Sequence, residues 1–205
     1  MRPYLALILS LALLTFGPPA FPGQSPQDLV YATSTQMLVR LREEKTAIEQ
    51  APERLYELVS EIVLPHFDFE RMGRWTLGKY WQRATDPQRD QFINEFRSLL
   101  VRKYGSALAE YADEEIVYLP FTMNENDTRV TVHTEIKPAS GAPVSIAYRL
   151  HRTDSSWKVY DVAIEGISLV TNYRTSFTST IRQDGLEQLI RQLAAINKGA
   201  GTTDS

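Results

Sequence analysis

Of the side chains that bind metals or carry nucleophilic catalysis, this 205-residue chain offers three histidines and no cysteine. His66, His133 and His151 have no ligand spacing between them, and no thiol is available as a metal donor. Gly166-Ile167-Ser168 begins like a nucleophile elbow but lacks the closing glycine and lies on the wrong side of a strand-to-helix joint. There is no P-loop and no dinucleotide-binding glycine pattern. The carboxylates of Glu43-Glu44 and Asp113 to Glu115 stand in runs, the ordinary arrangement of a solvated face. Asn126-Asp127-Thr128 matches a glycosylation sequon and is better explained as an Asn/Asp turn. What remains is apolar surface without chemistry attached. Trp75, Tyr80, Trp81, Phe96, Tyr104, Tyr118, Tyr148 and Tyr173 supply aromatic area of the kind that lines a pocket for a lipid or other greasy ligand. On pattern alone, the same residues read first as the filling of a solid core.

The elements that must position these residues follow from periodicity. Ser25-Pro26-Gln27-Asp28 is a helix start with a cap, a proline at the first helical position and an acid in the first turn. A second helix begins near Pro52 and should stop at Pro65, and Asp68 caps a short third helix that Gly78 ends. Asp86-Pro87 opens the longest helix, to about Tyr111, whose apolar residues cover half its circumference, enough for two neighbours or for one neighbour and a ligand. From Glu115 the period becomes alternating. Ile116 to Phe121, Arg129 to Lys137, Val144 to His151 and Trp157 to Glu165 read as strands, joined by turns short enough to imply an antiparallel meander. One face is apolar, and the other carries Arg129, His133, Glu135, Arg149 and His151. The predicted fold class is α+β, with helices packed over the apolar face of a curved antiparallel sheet of four to five strands.

The stretch Trp157 to Phe177 organises the rest. Its strand half is apolar on both faces, with Val159 and Ala163 on one and Tyr160, Val162 and Ile164 on the other. Gly166 permits a sharp change of direction. In the helix half, Ile167, Val170, Tyr173, Phe177 and Ile181 fall within an arc of roughly 120°. Arg174 projects inside that arc, either as a snorkelling stem or to meet an anionic group at a pocket mouth. A final short helix carries Leu186, Leu189, Ile190, Leu193 and Ile196.

Composition bounds the setting. Residues 1–23 combine Arg2, an apolar run from Leu5 to Phe16 and a Pro/Gly-rich end. That is a secretory signal, too short to span a bilayer, which needs about 20 apolar residues. Residues 24–196 form one domain, and 197–205 a polar, flexible tail. Removing residues 1–23 takes only Arg2 from 22 basic and 25 acidic residues and moves the formal charge from −3 to −4, with no electrostatic reason to expect nucleic acid. Charge is nevertheless uneven. Arg71 to Lys103 is strongly basic and Glu110 to Asp127 acidic, which describes either a balanced solvated surface or a docking face.

Tyr-Asp-Val-Ala-Ile-Glu-Gly-Ile-Ser-Leu-Val-Thr-Asn-Tyr at residues 160–173 resembles the hallmark of the MlaC family, also called the toluene-tolerance Ttg2 auxiliary family, of periplasmic phospholipid-binding proteins. Leu77-Gly78-Lys79-Tyr80-Trp81, Ala84 to Arg89, Phe96-Arg97 and Tyr104 to Leu108 resemble that family's central helical block, in the same order. The resemblance covers about Ser25 to Ile196. It implies a cone-shaped, NTF2-like domain with a lipid cavity between sheet and helices, no cofactor other than bound glycerophospholipid as cargo, and no catalysis. It also implies a monomeric carrier in the periplasm that exchanges lipid between an inner-membrane ABC transporter with an MCE-domain subunit and an outer-membrane lipoprotein complex. The expected lipid-binding residues are Trp75, Leu77, Tyr80, Phe96, Tyr104, Tyr118, Val132, Ile146, Tyr148, Val162, Ile164, Ile167, Val170 and Tyr173, and the expected partner-docking residues are Arg74, Lys79 and Arg83. Two rivals stand beside it. One is a periplasmic enzyme on a related cone-shaped α+β fold, which needs a polar constellation in the pocket. The other is a non-lipid interaction module with a solid core.

Overall fold

The local signals at helix starts are used as written. The computed structural model describes residues 24–154 and 156–199, so the expected signal segment lies outside the described residues. The Ser25 hydroxyl accepts from the Asp28 N–H at 3.1 Å to cap α1 (Pro26–Glu43), with Pro26 where no N–H is needed. Two short helices follow, α2 (Lys45–Gln50) and α3 (Glu53–Leu58). The chain then continues through a π turn (Val59–Val63) into a 3-10 turn (Leu64–His66), so Pro65 sits inside a tightened helix end instead of stopping the helix. Asp68 caps α4 (Phe69–Leu77). Gly78 ends it at φ +55°, and the Arg174 guanidinium fills the space a side chain there would need. A capping box of Thr85 and Gln88 opens α5 (Asp86–Glu110).

The remaining elements are β1 (Glu115–Tyr118), β2 (Arg129–Lys137), β3 (Val144–Arg152), β4 (Trp157–Ile164), β5 (Ile167–Ser168), α6 (Leu169–Asp184) and α7 (Leu186–Gly199). The strands pair as an antiparallel meander in chain order. The protein is thus α+β, with helices packed on an open, curved, five-stranded sheet. α5 serves two neighbours: Phe92, Phe96 and Leu100 enter the main core, whereas Val101 joins a smaller cluster with Met37, Leu41, Leu55 and Leu58 of α1 and α3.

Three expectations are corrected. Glu165-Gly166 does not lead straight into a helix. Both residues have positive φ (50° and 77°), Ile164 pairs with Ile167, and the chain makes a two-residue hairpin before turning into α6. Ile167 therefore lies on the edge strand, 61% exposed, outside the helical arc, and Leu169 joins the buried stripe in its place. A bulge reverses the expected faces of β4. Leu150 pairs with Val159 and Tyr148 with Val162, so Val159 and Val162 share the inner face, and Tyr160 is the extra residue, packed edge-on against Trp75 and His151. The last helix runs past the expected domain end at residue 196. Asn197 is buried in α7 and donates to the Glu95 carbonyl at 3.0 Å, while residues 200–205 lie outside the described residues.

Candidate functional site

Antiparallel partners share a face, so the register assembles the inner side of the sheet as transverse rows. One is Tyr118–Thr134–Ile146–Ile164, the next Val132–Tyr148–Val162, and a third Val130–Leu150–Val159. These rows are not equally sealed. Val132, Leu150, Val159 and Val162 are buried, whereas Tyr118, Ile146, Tyr148 and Ile164 pack on the core yet keep accessible surface. Burial pushes the Tyr148 phenol above its usual range, while the residue as a whole keeps some accessible surface.

The helices supply the opposite wall. Phe96 of α5 meets Tyr173 and Phe177 of α6 edge-on, with ring centroids at 5.3 and 5.9 Å. The Tyr173 phenol is likewise raised, by burial first and by Tyr104 second. The Lys103 ammonium lies 5.7 Å from the Tyr173 ring and 6.0 Å from that of Tyr104, a cation at the edge of an aromatic wall.

Twelve of the apolar candidates, Leu77, Tyr80, Phe96, Tyr104, Tyr118, Val132, Ile146, Tyr148, Val162, Ile164, Val170 and Tyr173, are brought together in or against the main core. Two are not. Ile167 is on the exposed hairpin. Trp75, 37% exposed, stands on the other side of the Tyr160 bulge with Arg71 over its ring at 5.8 Å. Val170, Phe96 and Leu77 are sealed and build the wall, while Tyr118, Ile146, Tyr148 and Ile164 carry its open surface.

A separate cleft of about 720 Å³ opens between α4, the start of α5 and the β3–β4 turn. Its rim is charged, with Arg74, Arg97 and Lys158 among its cations and Glu70 and Asp90 among its acids, and none of the fourteen apolar candidates lines it. Arg74, Lys79 and Arg83 are exposed on α4 and the 3-10 turn after it (Gly78–Arg83), with no ion pair to the described residues. Among the described residues no cluster of His, Cys, Asp and Glu has the makings of a metal site.

Two polar anchors escaped the sequence reading. Asp161, 1% exposed, accepts from Arg149 at 2.6 Å, from the Ser168 hydroxyl at 2.7 Å and from the Val170 N–H at 3.1 Å, which ties β3, β4 and the start of α6 together. Its signal was there to be read: an acid in an otherwise apolar strand must be paired or solvated. His151, placed on the wet face by alternation, is buried instead. Its Nε2 lies 2.7 Å from the Asp68 carboxylate, at the point where Phe67 bridges to Val159. The signal for that contact, a pairing across 83 residues, is absent from local pattern.

With this geometry in view, comparison with known proteins is decisive. The MlaC protein family model matches residues 31–195. The chain belongs to the MlaC family. It is 28% identical over 185 residues to the toluene tolerance protein Ttg2D of Pseudomonas putida, covering 90% of this chain and 83% of that one. It is 24% identical over 177 residues to the intermembrane phospholipid transport system binding protein MlaC of Haemophilus influenzae, covering 85% and 83%. A phospholipid-binding protein from Ralstonia solanacearum, solved in complex with a phospholipid, superposes with a TM-score of 0.79 at 29% identity, over 86% of this chain and 98% of that one. No helix among the described residues is long and apolar enough to cross a membrane.

Proposed function

We propose that this MlaC-family protein is a phospholipid carrier of the periplasm, which holds acyl chains between the inner face of the sheet and the wall of α5 and α6. The observation that carries this reading is the half-open apolar row of Tyr118, Ile146 and Ile164, with Tyr148 beside it, in a fold shared with a protein solved in complex with a phospholipid. Transfer needs no catalytic step. A buried methylene is worth about 0.8 kcal/mol, so extraction succeeds when the cavity returns most of what the bilayer already provides. On this reading residues 1–23 are the cleaved export signal, residues 24–199 are the carrier domain, and the cargo is glycerophospholipid.

Arg74, on the rim of the charged cleft, and Lys79 and Arg83 on the turn that follows stand exposed on one segment, where they suit encounter with acidic surfaces of an inner-membrane ABC transporter and an outer-membrane lipoprotein complex. Reversing all three charges should slow transfer to membrane complexes while bound lipid is retained, because exposed charge governs encounter more than storage. Unchanged transfer at low salt removes them from the docking face. The carrier reading itself is tested by native mass spectrometry of the secreted chain. A lipid-sized adduct supports it, and a bare protein that takes up nothing from vesicles refutes it.

A further inference from the structure

Thr134 is out of place in the sheet row that it occupies. Its neighbours there are Tyr118, Ile146 and Ile164, it is 1% exposed, and its Oγ1 closes no hydrogen bond of ordinary geometry among the described residues. Alternation with Val132 and Ile136 aims it at the helices, away from His133 and Glu135. A valine has the same shape and leaves no buried hydroxyl unsatisfied, and an unmade hydrogen bond in a core destabilises the fold.

The Tyr148 phenol lies beside Thr134 and Tyr118, and Thr134 is the group placed to hydrogen-bond its oxygen. Tyr118 is already committed elsewhere. The single proton of Ser34 goes to the carbonyls of its own helix, Val30 at 2.7 Å or Tyr31 at 3.1 Å, so the 2.6 Å contact between Tyr118 and Ser34 requires Tyr118 to donate. With the sealed Thr134 hydroxyl turned to the Tyr148 oxygen, the Tyr148 O–H is the donor left beside the half-open apolar space, and Thr134 stands behind it.

We propose that Thr134 and Tyr148 form a subsite for one neutral carbonyl oxygen of the cargo, the acyl ester of a phospholipid drawn in beside its chains. The inference rests on the carrier reading and adds to it a specificity for the ester linkage. The surroundings favour an uncharged acceptor. Burial holds the Tyr148 phenol in its neutral form, and the groups that act on it are Thr134 and Tyr118, with no cation among them. The ammonium of Lys103 lies instead over Tyr104 and Tyr173.

The same carbonyl chemistry is available from a free fatty acid, so the test carries three ligands. The secreted chain, stripped of lipid, is offered equal amounts of a diacyl phosphatidylethanolamine, its dialkyl ether analogue of equal chain length and palmitate, and the bound ratio is read by native mass spectrometry. One hydrogen bond corresponds to about a five- to tenfold preference, so the diester should lead the diether by that factor. Thr134→Val and Tyr148→Phe should each bring the ratio toward unity while both lipids still load, and Thr134→Val should melt no lower than wild type. Equal loading of diester and diether by the wild type overturns the subsite and leaves the carrier intact, as does a preference that survives both substitutions. Palmitate loading ahead of the diester overturns the ester assignment. Uptake of none of the three overturns the carrier reading and the subsite together.

Discussion

The two faces of β4 hold opposite kinds of side chain under opposite conditions. On one, Asp161 is charged and sealed, with both carboxylate oxygens engaged by Arg149, Ser168 and the Val170 N–H. On the other, Ile164 and its row neighbours Ile146 and Tyr118 are apolar and unsealed. A buried charge is tolerated when its acceptors are used and the pairing links elements that must stay in place. Apolar surface kept open forgoes folding stability that a bound ligand can restore by mass action. The first region is therefore built to hold shape, and the second is the surface that the proposed cargo would fill.

The comparison breaks most visibly at Asp161. Asp161→Ala should destabilise the fold by about 3 kcal/mol, below the upper range for a broken buried pair because Arg149 is half in solvent and can rehydrate. Urea melts measure it, and a loss below about 1 kcal/mol would mean that the joint is held by packing alone. Next comes a contrast within β3. Leu150→Ala, at a sealed position, should cost about 2 to 5 kcal/mol, and Ile146→Ala, four residues away on the same face, clearly less in lipid-free protein. Equal losses would show both ends of the strand to be packed alike.

A third pair separates wall from space. Val170→Trp should overpack the sealed wall and cost about 1 to 3 kcal/mol. Ile164→Trp should lower copurified lipid severalfold while the melting temperature of the lipid-free protein holds within a few degrees. Retained lipid in Ile164→Trp, read by lipid quantitation beside the melt, takes Ile164 off the cavity.

The smallest effect sharpens the contrast from the surface. Hydrogen bonds from Arg54 and then Arg40 hold the Glu44 carboxyl at about 2, below its ordinary 4.5. Because the folded value is the depressed one, the network stabilises the protein above pH 4.5 and its contribution fades as pH falls toward 2. Glu44→Gln should lower the melting temperature slightly at pH 7, and the difference from wild type should close near pH 2. A gap at pH 7 as large as that of Asp161→Ala would erase the distinction between part-buried and sealed pairing.

Much of the fold is legible because it is local. Ser25-Pro26, Asp68 and Gly78 mark helix ends through backbone hydrogen bonds that close within a turn, and the alternation in β2 and β3 follows from the geometry of a pleated chain. The two-residue hairpin at Glu165-Gly166 was hidden because strand-turn-strand and strand-turn-helix begin with the same residues, and only the pairing of Ile164 with Ile167 separates them. The bulge at Tyr160 was hidden because strict alternation assumes one residue opposite one, and a single extra residue exchanges the faces beyond it. Trp75 left the candidate site for that reason, since its partner Tyr160 moved to the other side.

By itself the sequence determined which residues are apolar, how they alternate, where helices begin and that metal and nucleophile motifs are lacking, because those properties depend on residue type and short-range spacing. Tertiary structure alone decided that His151 meets Asp68, that Asp161 is sealed by a strand and a helix start, and that the row through Ile146 and Ile164 stays partly open where that through Leu150 closes. Burial is a relation between segments distant in the chain. Two valines or isoleucines of identical pattern become core or cavity wall according to whether another element arrives to cover them.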